Sequence, residues 1–189
     1  MLNTDYYHKP VIIKACSNVV DYIFNQYKTV IENKNDGFPV NLNSNDLLDL
    51  GTILKEDTNS LFQDTTIKLE HGILFFLKPY KELPIHIDAQ TKHDFYSSLN
   101  IPILNCEGGD MCWYSGSFYE EDILLPEGIR YSKLKMEDPT ILYNSIINSP
   151  SIVRTNIPHN VVNTIDKKRI MLALRYNKNV PGLAASNEI

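Results

Sequence analysis

The segment Lys168-Arg-Ile-Met-Leu-Ala-Leu-Arg-Tyr176 decides the fold class. Successive side chains of a β-strand point to opposite faces. The segment therefore has two sets of side chains, Ile170, Leu172, Leu174 and Tyr176 on one face and Arg169, Met171, Ala173 and Arg175 on the other. The first set predicts a face packed in the core. Two arginines opposite so apolar a face either look outward to solvent or need buried anionic partners.

Short β-rich runs separated by turns also fill the chain from Thr66 to this segment. They are Ile67–Leu77, Leu83–Ala89, Ser97–Leu104, Met111–Ser115, Ile129–Leu134, Thr140–Tyr143, Ile152–Arg154 and His159–Val162. Glu107-Gly-Gly-Asp110 marks a tight turn. About eight short strands in sequence predict a double-sheet jelly roll. The long mixed stretch Glu120–Met136 is interpreted as a lid or substrate loop.

The pattern before Thr66 is helical. Apolar residues recur at helical spacing from about Ala15 to Asn33, and a shorter helix is expected over Ser44–Leu54, capped by Ser44 or Asn45. We therefore predict a mainly β protein with N-terminal helices (α+β), built on a double-stranded β-helix or jelly-roll, cupin-like barrel. The prediction is a single domain, 1–189, with a helical region 1–65 buttressing the barrel, a catalytic core 66–177 and a peripheral tail 178–189.

Composition is that of an ordinary globular protein. The chain has 189 residues, 43% of them hydrophobic and 22% charged. Its net charge of −5 and the lack of a basic run argue against nucleic-acid binding, which depends on lysine and arginine. No signal peptide or membrane-spanning apolar run is visible. The three cysteines have no metal-binding spacing, so a reducing cytoplasm is the simplest setting.

Leu83–Ala89 contains the run His86-Ile-Asp88. On a strand, His86 and Asp88 share a face, with Cα atoms roughly 6.5 Å apart. This arrangement suits two ligands that converge on one metal ion. An ordinary strand with a polar face is the alternative interpretation.

A second histidine and an arginine follow at the end of the chain. Pro158 biases Ile157 to an extended conformation and presents His159 at the start of a short strand. Two histidines and one carboxylate are the ligands of the Fe(II) facial triad, which leaves open positions for substrate and oxygen. Arg169 could bind a carboxylate bidentately, which would suit 2-oxoglutarate. For His159, a surface histidine in a loop is the alternative.

Five segments in this order carry a family resemblance. They are His86-Ile-Asp88, Ser98-Leu-Asn-Ile-Pro-Ile103, Trp113-Tyr114, Pro158-His-Asn-Val-Val-Asn163 and Arg169-Ile-Met-Leu-Ala-Leu-Arg175. Together they resemble the Fe(II)- and 2-oxoglutarate-dependent oxygenases, especially small, poorly characterised microbial and phage members. The resemblance covers roughly Ile67–Tyr176.

The resemblance implies a role for each matching residue. His86, Asp88 and His159 would bind iron, and Arg169 would anchor the distal carboxylate of 2-oxoglutarate. Arg175 matches a second arginine in the branch that dealkylates DNA and RNA. That branch has Asn and Tyr where this chain has Phe75 and Leu77, which argues against a nucleic-acid substrate.

The sequence thus predicts a hydroxylase that takes Fe(II) as its metal and 2-oxoglutarate as its co-substrate, and that releases succinate and carbon dioxide. Its substrate would be a small molecule or a peptide. Asn100 interrupts an apolar run and either hydrogen-bonds the co-substrate or satisfies a neighbouring strand. Two other functions stay open: a cupin-like metal-binding protein, and a non-catalytic jelly-roll binding module. The first would not need Arg169, and the second would need neither metal nor co-substrate.

Overall fold

The computed structural model describes residues 7–34, 37, 39–88, 97–124 and 130–179. Within these residues there are three α-helices, one short 3-10 helix (Cys106–Gly108) and ten strands. The α-helices are α1 (Cys16–Asn33), α2 (Ser44–Ile53) and α3 (Lys55–Phe62). The strands are β1 (His8–Pro10), β2 (Val40–Asn41), β3 (Leu69–Leu77), β4 (His86–Ile87), β5 (Ser97–Leu104), β6 (Gly109–Leu124), β7 (Arg130–Ile146), β8 (Ser151–Arg154), β9 (His159–Asn163) and β10 (Arg169–Tyr176).

The strands form two antiparallel sheets. The first has the order β1-β8-β5-β10-β3-β2, with β5 and β10 at its centre. In the second, β6 pairs with both β7 and β9. The short β4 pairs with β9 through His86↔His159 and with β7 through His86↔Lys133 and Ile87↔Ser132. The mainly β architecture with N-terminal helices is therefore confirmed.

Two apolar clusters hold these layers together. The larger one lies between the helices and the first sheet, and it includes Ile23, Leu50, Leu99 and Leu172, all with no exposed surface. The smaller one joins the two sheets around Trp113. Close packing of this kind accounts for most of the stability of a domain. Among the described segments, no helix has both the length and the apolar character that a membrane crossing requires.

The helical predictions hold with one correction and one omission. α1 and α2 lie where the apolar spacing placed them. The cap of α2 is Asn43, not Ser44 or Asn45: its side chain accepts from the backbone N–H of Asn45 and Asp46, and Asp46 completes a capping box. α3 follows α2 almost directly and was not predicted, because its sequence is mostly polar.

Several predicted strands have different limits. Leu83–Ala89 shrinks to His86–Ile87, since Pro84 lacks an N–H for a ladder; Ala89 lies outside the described residues. The three runs between Met111 and Tyr143 are parts of one long hairpin, β6–β7, so most of the expected Glu120–Met136 loop is strand. Residues 125–129 of that stretch, and 180–189 of the tail, are not among those described.

β10 has the two faces that its sequence predicts. Its apolar face belongs to the helix-side cluster, which contains Ile170, Leu172, Leu174 and Tyr176. Its other face looks toward the second sheet and borders a cavity. The side chains of that face are Arg169, Met171, Ala173 and Arg175. The fold therefore places both arginines at one internal surface.

Candidate metal centre and ligand cavity

Three potential metal ligands converge between the sheets. The pairing of β4 with β9 sets His86 directly opposite His159, with ring centroids 4.4 Å apart. Asp88 follows β4, and its Oδ1 lies 3.6 Å from His86 Nε2. One ligand atom from each of the three residues lies within 4.8 Å of the others. The structure therefore brings together the three residues that the sequence singled out.

Both imidazoles are oriented by backbone carbonyl groups. Nδ1 of His86 lies 2.8 Å from the carbonyl oxygen of Pro84, and Nδ1 of His159 lies 2.8 Å from that of Ile157. A carbonyl accepts only, so each Nδ1 carries the proton. Each Nε2 then keeps its lone pair, which is how metal-binding histidines are usually arranged.

The charge states of His159 and Asp88 suit a cation. Burial, with the nearby His86 as the second cause, lowers the pKa of His159 to about 4, so the imidazole is neutral at pH 7. Burial acts to raise the pKa of Asp88, but Arg175, His159 and His86 outweigh it and leave that pKa below its usual value. His159 therefore offers a neutral nitrogen and Asp88 a carboxylate to a cation.

The triad opens into a cavity of about 210 Å³ between the two sheets. Most of its wall is apolar, including Ile73, Phe75, Met111, Met171 and Ala173. Ligand pockets for drug-sized molecules usually measure ~300–1,000 Å³, so this cavity fits a smaller ligand. Its few polar groups would then fix the ligand's orientation.

Arg169 is the charged group at the end of the cavity away from the triad. It is 4% exposed, and no carboxylate pairs with it among the described residues. Burial lowers the pKa of its guanidinium, and only the adjacent Cys106 sulfur acts in the opposite direction. Its Nε has no hydrogen-bond partner. A buried cation without a counter-charge is costly, so this position is suited to an anionic ligand.

Arg175 lies at the triad end of the same strand face. Its Nη2 donates to Oδ2 of Asp88, and the two side chains are each 12% exposed. The contact holds one carboxylate oxygen and leaves Oδ1 on the side of His86. Its Nε has no partner. The contact that the structure records for Arg175 is thus with a candidate metal ligand.

Asn100 also lines the cavity, on β5 beside Ala173 of β10. Its Oδ1 accepts a hydrogen bond from the Ser98 hydroxyl at 2.8 Å. That bond leaves the amide nitrogen as the group able to donate to a ligand.

Comparison with solved structures supports the fold. AviO1 from Streptomyces viridochromogenes Tue57 is 12% identical, with a TM-score of 0.50 over 95% of this chain and 92% of its own. EvdMO1 is 11% identical, with a TM-score of 0.51 over 91% of this chain and 47% of its own. The chain shares their fold.

Among the other matches is an oxidoreductase of the 2OG-Fe(II) oxygenase family from Burkholderia pseudomallei. It is 14% identical, with a TM-score of 0.44 over 74% of this chain and 60% of its own. No protein-family model and no curated protein matches the sequence.

Two features at or beside the cavity were not predicted from the sequence. Gly109 of β6 lies against Arg169, so closely that a Cβ there would come within 2.2 Å of Nε. A glycine in a strand can signal such a close approach, but it does not name the partner. The second feature is Thr155, a buried residue of the cavity wall. No motif or spacing marks it.

Proposed function

We propose that this protein is an Fe(II)- and 2-oxoglutarate-dependent oxygenase that hydroxylates a small molecule or a peptide in the cytoplasm. The observation that carries the proposal is one internal cavity with a His-Asp-His group at one end and an uncompensated buried arginine at the other. We further propose that the two sheets are those of a jelly roll. In this proposal residues 66–177 are the catalytic core, 1–65 buttress it, and 178–189 are peripheral.

Each residue has a separate task in this proposal. His86 and His159 present Nε2, and Asp88 presents Oδ1, to one Fe(II). Arg169 binds the far carboxylate of 2-oxoglutarate. When bound, iron and 2-oxoglutarate supply the oxidising chemistry, in which oxygen is consumed, succinate and carbon dioxide are released, and the substrate gains a hydroxyl group.

The remaining wall residues orient and protect the ligand. Asn100 donates from its amide nitrogen, and Arg175 keeps Asp88 deprotonated and aligned while offering its own Nε to the metal-side end of the ligand. Apolar side chains such as Phe75 and Met171 keep water away, which strengthens the polar contacts that remain. A metal-binding protein without co-substrate would leave Arg169 without an anion, so the oxygenase is the better fit of the two.

An anaerobic titration tests the proposal. Wild-type protein should take up about one Fe(II) at this three-ligand site, and 2-oxoglutarate should then produce the weak visible charge-transfer band of a chelated keto acid. Arg169→Met should keep the iron but weaken 2-oxoglutarate binding by about 2–5 kcal/mol, much of it from the unpaired carboxylate. His86→Ala should abolish iron uptake.

Lys178→Met is the matched control, because Lys178 pairs with Asp64 on the surface. It also loses one cation but should bind both ligands as wild type does. Wild-type protein that binds Fe(II) but gives no band, and no succinate with any substrate tried, would leave the metal-binding alternative as the better account.

A further inference from the structure

Thr155 lines the cavity and has a buried hydroxyl that has no task in the proposed mechanism. The residue is 2% exposed, and its Oγ1 has no hydrogen-bond partner. It lines the cavity together with His86, Asp88 and His159. Two other buried atoms without partners are Nε of Arg169 and Nε of Arg175 in the same cavity. Three of the buried atoms without partners therefore belong to residues that line this cavity, whereas the Tyr176 hydroxyl lies in the helix-side cluster.

The backbone fixes Thr155 beside the triad. Its carbonyl oxygen accepts a 3.1 Å hydrogen bond from the backbone N–H of Asp88. The preceding Arg154 is held on both sides, since its N–H donates to Tyr7 and its carbonyl accepts from the Trp113 indole. The Thr155 hydroxyl is thus anchored at the metal end of the cavity, away from Arg169.

The unpaired hydroxyl is unfavourable for the ligand-free fold. A buried hydroxyl without a partner loses its hydration and gains nothing in return. Valine has nearly the same shape and would avoid this loss. A threonine at this position therefore makes sense when a bound molecule completes its hydrogen bond.

The chemistry of the site selects the acceptor. The far carboxylate of a dicarboxylate lies with Arg169, and Oδ2 of Asp88 is already bound by Arg175. The carboxylate next to the keto group has two oxygens, so at the metal end it can accept from the Thr155 hydroxyl as well as from Nε of Arg175. We propose that the Thr155 hydroxyl donates a hydrogen bond to the carboxylate next to the keto group of 2-oxoglutarate. This inference rests on the proposed function and adds a binding residue to it.

Thr155→Val and Thr155→Ser provide the test. In the anaerobic Fe(II)-loaded protein, Thr155→Val should raise the Kd for 2-oxoglutarate about tenfold, as expected for one hydrogen bond to a charged group. Thr155→Ser keeps the hydroxyl and should stay within about twofold of wild type. Iron uptake should be unchanged in both. Ligand-free Thr155→Val should melt at or above the wild-type temperature, because it loses an unsatisfied group.

Thr58→Val is the matched control. Thr58 is similarly buried, but its hydroxyl donates to the Leu54 carbonyl at 3.0 Å. Its replacement should lower the melting temperature and leave the Kd for 2-oxoglutarate unchanged. We therefore expect the two substitutions to differ in both measurements. Thr58→Val should lower the melting temperature and Thr155→Val should not, and only Thr155→Val should raise the Kd for 2-oxoglutarate.

The outcomes separate this inference from the proposed function. If wild type and Thr155→Val bind 2-oxoglutarate equally well, the inference is wrong and the proposed function stands. If Thr155→Val changes only the KM of the hydroxylated substrate, the hydroxyl serves that substrate and the inference is again wrong. A lower melting temperature for Thr155→Val would indicate a structural role and also overturn it. If wild type binds no 2-oxoglutarate, the proposed function itself fails.

Discussion

On one face of β10, Leu172 has no exposed surface and packs among the apolar residues beneath the helices; on the other, Met171 and Arg169 are 2% and 4% exposed but border a cavity. Burial alone does not distinguish the two faces. The two faces differ in what they border: the Tyr176 hydroxyl, which has no partner, lies among packed apolar side chains, whereas the unpartnered Nε atoms of Arg169 and Arg175 lie beside a cavity that can hold a ligand. One face is built for packing, and the other is built to be completed by a ligand.

Truncation of one residue on each face tests this difference most strongly. Leu172→Ala should lower the free energy of unfolding by about 2–5 kcal/mol, because it opens a void in a close-packed core. Met171→Ala should cost less, at about 2 kcal/mol or below, since it only enlarges an existing cavity. Urea denaturation of the ligand-free proteins measures both. Equal costs would mean that the cavity face is packed like the core.

Acid should lower the free energy of unfolding through His159, which lies on the cavity side. The pKa of His159 is about 4 in the folded protein, against 6.5 for an ordinary histidine. Between those values the unfolded state binds more protons, so the free energy of unfolding falls as pH drops from 6.5 to 4, by on the order of 3 kcal/mol.

Denaturation of the metal-free protein at a series of pH values measures this loss. His159→Asn cannot titrate there, so its stability should change less over that interval. A variant with the same pH dependence as wild type would show that other groups cause the loss.

The smallest expected effect separates the two arginines of the cavity face. Arg175→Met should weaken Fe(II) binding about 10–100-fold, because Asp88 loses the group that orients it. Arg169→Met should leave Fe(II) affinity nearly unchanged, since Arg169 lies at the other end. Chelator competition gives both affinities. If the two variants lose iron equally, the arginines do not have separate tasks.

The parts of this structure that follow strict periodicity could be predicted from the sequence. The alternation in β10 predicts both of its faces, and the helical spacing of apolar residues predicts α1. The residues of the candidate site could also be proposed from the sequence, because His86-Ile-Asp88, His159 and Arg169 carry distinctive side chains at motif spacing. What the motif does not provide is their hydrogen bonding, such as the contact from Arg175 to Asp88.

Other features depend on contacts that are distant in sequence. β1 and β2 are too short to show a period and exist because β8 and β3 offer edges to pair with. Several Asn and Ser residues compete to cap α2, and only the folded backbone selects Asn43. The side chains of residues 115–119 and 135–141 in the β6–β7 hairpin are largely exposed on both faces, so these stretches lack the alternation that marks a half-buried strand.

The close approach of Gly109 to Arg169 has a consequence for how this chain can change over time. Any side chain at 109 would displace the guanidinium, since even a Cβ would lie 2.2 Å from Nε. A mutation of Gly109 is therefore tolerated only after Arg169 has been replaced by a residue with a shorter side chain. That replacement removes the group that binds the anion. The two positions should thus vary as a pair among descendants of this sequence. A relative that retains the arginine at 169 would be expected to keep glycine at 109 as well.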